Sequence, residues 1–305
     1  MSSLLTLGET RARTRRALAK RVARAGLALW RQLDPRNLNN WIPSSTQLFQ
    51  IVAAAQLLQA QESEQYVAAA LAAQGFSPEP AGTLNASMLA GIASDGRDLL
   101  SLLQLPTIAT KVAIRDGSSV DEAMSAGQSL LQTILRTQVS DAGRVADSVN
   151  TIARPETRWV RVLYGETCAR CALLAGRVYR AQADFLRHPR CDCYSVPVHT
   201  EDNAKEAGLI TSPREYFNSL SRDEQDRIFT KAGAEAIRDG ADISQVVNAR
   251  RGMTAAGTTR EGTTRRGLAG MRLQGAPRLM PEQIYRDAKS RDEAINLLKK
   301  NGYII

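Results

Sequence analysis

All four cysteines of this chain and one of its two histidines fall within residues 168–193, CARCALLAGRVYRAQADFLRHPRCDC. No other feature constrains the fold as strongly, because soft donors gathered this closely oblige a short stretch to close on itself. Cys168-x-x-Cys171 has the spacing at which two thiolates reach one ion across a tight turn. His188-x-x-Cys191-x-Cys193 supplies three further donors one small loop later. A structural zinc site takes four ligands in tetrahedral geometry, so five candidates leave one over. In an extended chain His188 and Cys191 point to opposite faces while Cys191 and Cys193 share one, so a turn at His188-Pro189 is needed to bring the three together. Either all four cysteines or three cysteines with His188 satisfy the spacing.

Other chemistries fit the cluster less well. Two disulfides would use the cysteines evenly but require an oxidising compartment. A thioredoxin-type pair at Cys168 and Cys171 needs a βαβ context, and none is visible here. A cysteine nucleophile paired with His188 lacks a third group to orient it. A zinc deaminase needs His-x-Glu ahead of its cysteines, whereas His199-Thr-Glu201 follows them. A structural Zn2+ site is the expectation.

The first half of the chain is helical in pattern. Residues 9–33 are rich in Arg, Ala and Leu up to Asp34-Pro35, and residues 44–73 are dense in Ala, Leu and Gln. A third helix is expected near 84–104, stopping before Pro106, and a fourth over 119–150, where Leu131, Ile134, Leu135 and Val139 recur at helical spacing. The pattern changes after Arg154-Pro155. RWVRVLY (158–164) alternates apolar residues with arginine, as a strand with one buried face does, and YSVPV (194–198) reads as an edge strand because Pro197 cannot donate to a ladder. Ser212-Pro213 starts a helix, and Ser221 to Glu224 is a capping box for 222–239. From Asn248 to Ala276 the chain is rich in Gly, Thr and Arg, with GTTR repeated, and has too little apolar content to order itself. Met280-Pro281 and the Ser290 to Glu293 box open two last short helices.

Charge is distributed unevenly about the net +9. Residues 1–31 carry eight Arg/Lys against Glu9, and residues 250–305 carry twelve against five acids, so each end is at +7 and the middle at −5. Two basic ends on a mildly acidic body suit an anionic partner, nucleic acid being the commonest. Arg250, Arg251, Arg260, Arg265 and Arg266, on the expected flexible arm, are the candidate phosphate contacts. They would hold double-stranded DNA without base selectivity. No apolar run reaches membrane-spanning length, and the first residues lack a secretory signal's charged-then-apolar order, so a soluble, intracellularly made chain is expected.

Two segments, GETCARCALLAGRVY and FLRHPRCDCYSVPV, resemble the signature of the phage Mu F-like minor head proteins. The matching positions are Cys168, Cys171, Leu174, Gly176, Val178, Tyr179, His188, Pro189, Cys191, Cys193 and Pro197. The tail pieces VVNARRG and RLMPEQIY are similar to those of members from phages of actinobacteria. Many relatives carry an arginine and a histidine where Cys168 and Cys171 stand, so the resemblance makes Cys168 the donor to spare. It implies a non-enzymatic protein made in the bacterial host cytoplasm and packaged in few copies in the capsid interior of the virion. Its implied partners are the portal protein and the major capsid or scaffold protein, in head assembly or genome ejection, and it implies no membrane. The alternatives are a capsid maturation protease, for which His199 would be the remaining histidine base, and a host DNA-binding zinc protein.

The expected fold is therefore α+β and predominantly α-helical. An all-α region (1–153) leads into a Mu F-like domain (154–247) holding the Cys/His module. A flexible basic arm (248–279) and a short C-terminal helical segment (280–305) follow.

Overall fold

A computed structural model of the chain describes residues 3–164, 167–188 and 191–305. Pro189, part of the expected turn, lies outside the described residues. In chain order come helices α1 (Ser3–Arg31), α2 (Trp41–Ala72), α3 (Leu99–Arg115) and α4 (Val120–Ile152), strand β1 (Arg158–Val162), helix α5 (Ala169–Leu174) and strands β2 (Val178–Arg180) and β3 (Tyr194–Val198). Helices α6 (Glu201–Glu206), α7 (Pro213–Ser219), α8 (Arg222–Phe229), α9 (Lys231–Arg238) and α10 (Ile243–Ala249) follow. Strand β4 (Thr258–Thr259), helix α11 (Leu268–Leu273), strand β5 (Arg278–Leu279) and helices α12 (Pro281–Asp287) and α13 (Arg291–Lys300) complete the chain. The fold is predominantly helical with little sheet. Contacts group it into two compact units, residues 1–165 with 178–210, and residues 166–177 with 211–305.

In the first unit α1 to α4 pack around one apolar core. Val22 and Trp30 of α1, Trp41, Leu48 and Val52 of α2, Leu99 and Leu103 of α3, and Leu131, Leu135 and Val139 of α4 are buried together. These residues recur at three- and four-residue steps, which puts them on one face of each helix. Trp30 and Trp41 meet edge to face at 5.2 Å, and the Trp41 indole donates to Leu103 O at 2.8 Å, so its one polar atom is satisfied inside the core. The third helix differs from expectation. Residues 86–89 form only a 3-10 turn, and α3 begins later, capped by Asp98, which accepts from Ser101 N at 2.7 Å. It then runs through Pro106. A proline removes one amide donor from the ladder, and here the buried face formed by Leu99, Leu102, Leu103 and Pro106 itself outweighs that loss.

The sheet of this unit has the order β2-β1-β3, all antiparallel. Tyr194–Val198 is an edge strand, as Pro197 requires. Strand β1 is central, and it departs from the expectation of one buried face, since Arg161 is 1% exposed. One face of β1 and β3 puts Val160, Val196 and Val198 against Leu4 of α1 and Val67, Ala70 and Leu71 of α2. Gly8 permits this approach: a Cβ there would stand 2.7 Å from the Tyr194 ring and 2.9 Å from Val196. On the other face Trp159 stacks on Tyr179 at 4.3 Å, and the Arg161 guanidinium lies 3.9 Å from the Phe185 ring centroid.

A buried ionic network ties α1 to α4. Asp147 accepts from Arg11 Nη2 at 2.9 Å and from Arg15 Nη1 at 3.2 Å, and Arg11 also reaches Glu62 at 3.0 Å and Gln59 O at 2.7 Å. Two of the eight N-terminal cations are thus inside the bundle.

The second unit has its own core, where Ala172 and Leu173 of α5 join Phe217, Phe229, Ile237, Val246, Met280, Ile284, Leu298 and Tyr303. The helix expected over 222–239 is two, α8 and α9, separated by Thr230 at φ 66°. Residues 248–279, expected as a flexible arm, carry a 3-10 turn, α11 and the β4–β5 pair. The reason is Arg278, 1% exposed. It donates to Asn301 O at 2.8 Å, Glu261 O at 2.7 Å and Gln245 Oε1 at 3.1 Å, with its guanidinium 4.1 Å from the Tyr303 ring centroid. Hydrogen bonds from one buried arginine to backbone carbonyls do here what apolar content does elsewhere.

Candidate metal centre

Cys168 is the residue that caps α5, and Cys171 lies in that helix's first turn. Leu174 ends the helix, and Gly176, at φ +67°, turns the chain toward β2. A Cβ at Gly176 would lie 2.3 Å from Thr211 N, so both the backbone angle and the space demand glycine. Residues 181–188 lead from β2 to His188, and Cys191 and Cys193 immediately precede β3.

The donors converge. The ligand atoms of Cys171, Cys191 and Cys193 all lie within 4.8 Å of one another, and so do those of Cys168, Cys171 and His188. Cys171 belongs to both groups. In a tetrahedral site with Zn–S bonds of about 2.3 Å, sulfurs stand about 3.8 Å apart, so the groups have the size of a metal centre. All four cysteines are thiols, with Cys171, Cys191 and Cys193 buried and Cys168 and His188 half-buried. Buried thiols and an imidazole suit zinc or another thiophilic ion and offer nothing to a hard cation. These residues fit a metal, and the five sequence-predicted donors fall into two groups of three that share Cys171.

The loop carrying Cys191 and Cys193 is held by side chains that the sequence did not single out. Arg144 of α4, 5% exposed, donates from Nε to Cys193 O at 3.2 Å, from Nη2 to Cys191 O, and from Nη1 to Asp141 at 2.9 Å. Asp141, 2% exposed, also accepts from Arg187 Nε at 2.5 Å, next to His188. Asp192 pairs with Arg16 at 3.3 Å and Arg136 at 3.8 Å. Arg161 donates to Leu186 O. The available signal was the opposite-charge pair Asp141/Arg144 one turn apart on α4.

His199 is elsewhere in this unit. Its ring stacks on Phe76 at 3.7 Å and its Nδ1 lies 3.1 Å from Glu156 O, at a groove of about 550 Å³ also lined by Arg158, Arg180 and Glu201. The hydroxyls lining it are engaged: Thr157 donates to Thr151 O at 2.7 Å and Thr200 to Asn203 at 2.7 Å.

Of the candidate phosphate contacts, Arg251, Arg260, Arg265 and Arg266 are exposed. Arg250 is not presented in that way, because it donates to Glu282 and, at 2.7 Å, to Thr230 Oγ1. Among the described residues no helix is long and apolar enough to cross a membrane.

A family profile described as VG15 protein matches residues 6–220, about 70% of the chain. The chain belongs to the VG15 protein family. The matched span takes in the four-helix core, the three-stranded sheet and all five metal-donor candidates, and membership of the VG15 family supports a phage-encoded protein. No curated protein and no solved structure matches the chain.

Proposed function

We infer that this VG15-family chain is a minor structural protein of a tailed-phage head, held in the capsid interior beside the portal and the packaged DNA, and acting in head assembly or genome ejection. The observation that carries this reading is the family match over residues 6–220, a span that includes the Cys/His motif whose sequence resembles the Mu F-like signature. The donor geometry supports a structural rather than a catalytic metal. Three of the five donors are buried thiols, two of them, Cys191 and Cys193, braced by Arg144 through their backbone carbonyls, and a closed set of that kind leaves no ligand position open to a substrate. When bound, Zn2+ would supply cross-linking. Cys171, Cys191, Cys193 and either His188 or Cys168 are the residues that would hold it. Arg251, Arg260, Arg265 and Arg266 are suited to phosphates without reading sequence. The portal protein and the major capsid or scaffold protein are the expected protein partners.

Quantitative mass spectrometry of purified virions and of portal-only subassemblies tests this. The chain is expected in both, at a few copies per virion. Its absence from purified virions would overturn the reading.

A further inference from the structure

The eight cations of the N-terminal segment do not behave alike. Arg11, Arg15 and Arg16 supply the ion pairs of α1, to Glu62, Asp147 and Asp192. Arg13, Lys20, Arg24 and Arg31 are exposed, and among the described residues no ion pair runs from any of them. They stand seven, four and seven residues apart, so at 3.6 residues per turn they fall within about 20° either side of one line along the helix. At a rise of 1.5 Å per residue the row is about 27 Å long. Every other exposed residue of α1 is Ser, Thr or Ala, except Arg21, which lies to one side. The carboxylates nearest in sequence lie beyond the two ends of the row, Asp34 exposed three residues after Arg31 and Glu9 half-buried four residues before Arg13.

We propose that this face of α1 is a contact surface for the backbone of double-stranded DNA, separate from the C-terminal arginines. The proposal rests on the reading of the chain as a neighbour of packaged DNA. The charge and shape of the row favour that occupant over others. An interfacial membrane helix needs large apolar residues on its outward face, and a protein interface needs an apolar centre. The exposed face of α1 has neither, because its leucines and Trp30 turn inward or lie half-buried. What remains is a straight cationic row flanked by small side chains, over which a rigid polyanion can approach closely. Duplex DNA carries one phosphate charge per ~1.7 Å of axis, so a row of about 27 Å lies along roughly eight base pairs. The row reads no bases, since exposed arginine and lysine side chains aimed at phosphates position without specifying.

The test uses the full chain and a fluorescein-labelled 30-base-pair duplex of arbitrary sequence, with binding followed by anisotropy from 50 to 300 mM KCl. Each phosphate contact adds ~0.9 to the slope of log Kobs against log salt. The variant R13Q/K20Q/R24Q/R31Q is therefore expected to flatten the slope by about 3.5. Between 50 and 200 mM salt the wild type then loses about a hundredfold more affinity than the variant. The melting temperature should not change, because all four side chains are exposed. R251Q/R260Q/R265Q/R266Q provides the comparison, and the row is supported only if the two sets lower the slope separately. A wild type that binds while the α1 variant keeps its slope and affinity overturns this inference and leaves the DNA-proximal reading standing. A wild type that binds no duplex at 50 mM KCl overturns both. Tighter binding to phosphatidylglycerol vesicles or to polyglutamate than to DNA, lost in the α1 variant, replaces DNA as the occupant and overturns the inference.

Discussion

Replacing Arg144 by methionine tests whether the helical bundle sets the geometry of the metal donors. Arg144 is 5% exposed and makes three donations, to the carbonyls of Cys191 and Cys193 and to Asp141. Methionine fills much of the same space and returns none of them. Asp141 keeps Arg187, so the main loss is the two guanidinium hydrogen bonds to buried carbonyls, at about 1–3 kcal/mol each. The expected destabilisation is about 2–5 kcal/mol. A unit of roughly 200 residues shifts by about 2–4 °C per kcal/mol, so the melting temperature by circular dichroism should fall by about 5–20 °C. Loosening the groups that orient metal ligands typically costs about 10–100-fold in affinity, and competition against a chromophoric zinc chelator should show a loss of that size. Leu135→Ala is the control. It opens a void in the bundle core at a similar cost of about 2–5 kcal/mol but touches no donor, so its zinc affinity should equal the wild type's. If Arg144→Met melts lower yet holds zinc as tightly as Leu135→Ala does, the carbonyl bonds do not position the donors and the reasoning fails.

The two buried arginines of α1 should respond in opposite senses. Burial pulls the Arg11 guanidinium down, but Asp147 and Glu62 outweigh it and leave it above its ordinary value. Burial and the neighbouring Arg144 charge lower Arg15 to about 10. Arg11→Met should destabilise by about 3–5 kcal/mol, as breaking a buried pair does. A guanidinium held at about 10, well below its ordinary value, costs about 3 kcal/mol as a cation, so Arg15→Met should be neutral or stabilising at pH 7. Because the folded value is the lower one, the wild type gains stability as pH rises from about 10 toward the ordinary guanidinium value. Urea midpoints at pH 8 and 10.5 should therefore show the difference between wild type and Arg15→Met narrowing, and a widening difference contradicts the assignment. Purified protein should contain close to one zinc per chain by plasma mass spectrometry, and Cys171→Ser, the donor common to both groups, should abolish it. Identical melting with and without chelator would remove the metal from the account. Gly176→Ala should give insoluble or strongly destabilised protein in expression trials, since it meets both a left-handed φ and the Thr211 backbone, and a normal melting curve would refute that geometry.

Much of this architecture is visible in the sequence where the cause is local. The long helices, β1, the β3 edge, the helix start at Ser212-Pro213 and the box at Ser221 follow from residue periodicity, from prolines without a donor and from a hydroxyl three residues ahead of a glutamate. Local signals mislead where a distant partner overrides them. Pro106 continues a helix because its face is buried, and Arg161 is buried in a strand that read as alternating. The Gly/Thr/Arg-rich segment is ordered by Arg278, whose partners lie 17 to 33 residues away along the chain.

The sequence by itself determined that five soft donors had to share a small region, because their spacing along the chain admits little else. It also determined that the surrounding chain had to be mostly helical. Only the tertiary structure decided that Cys171 is common to both donor groups, that Arg144 and Asp141 hold the donor loop, and which cations of α1 face outward. Charge can be counted along a chain, but whether an arginine is an internal strut or a free cation depends on the carboxylate or carbonyl that the fold brings to it from elsewhere.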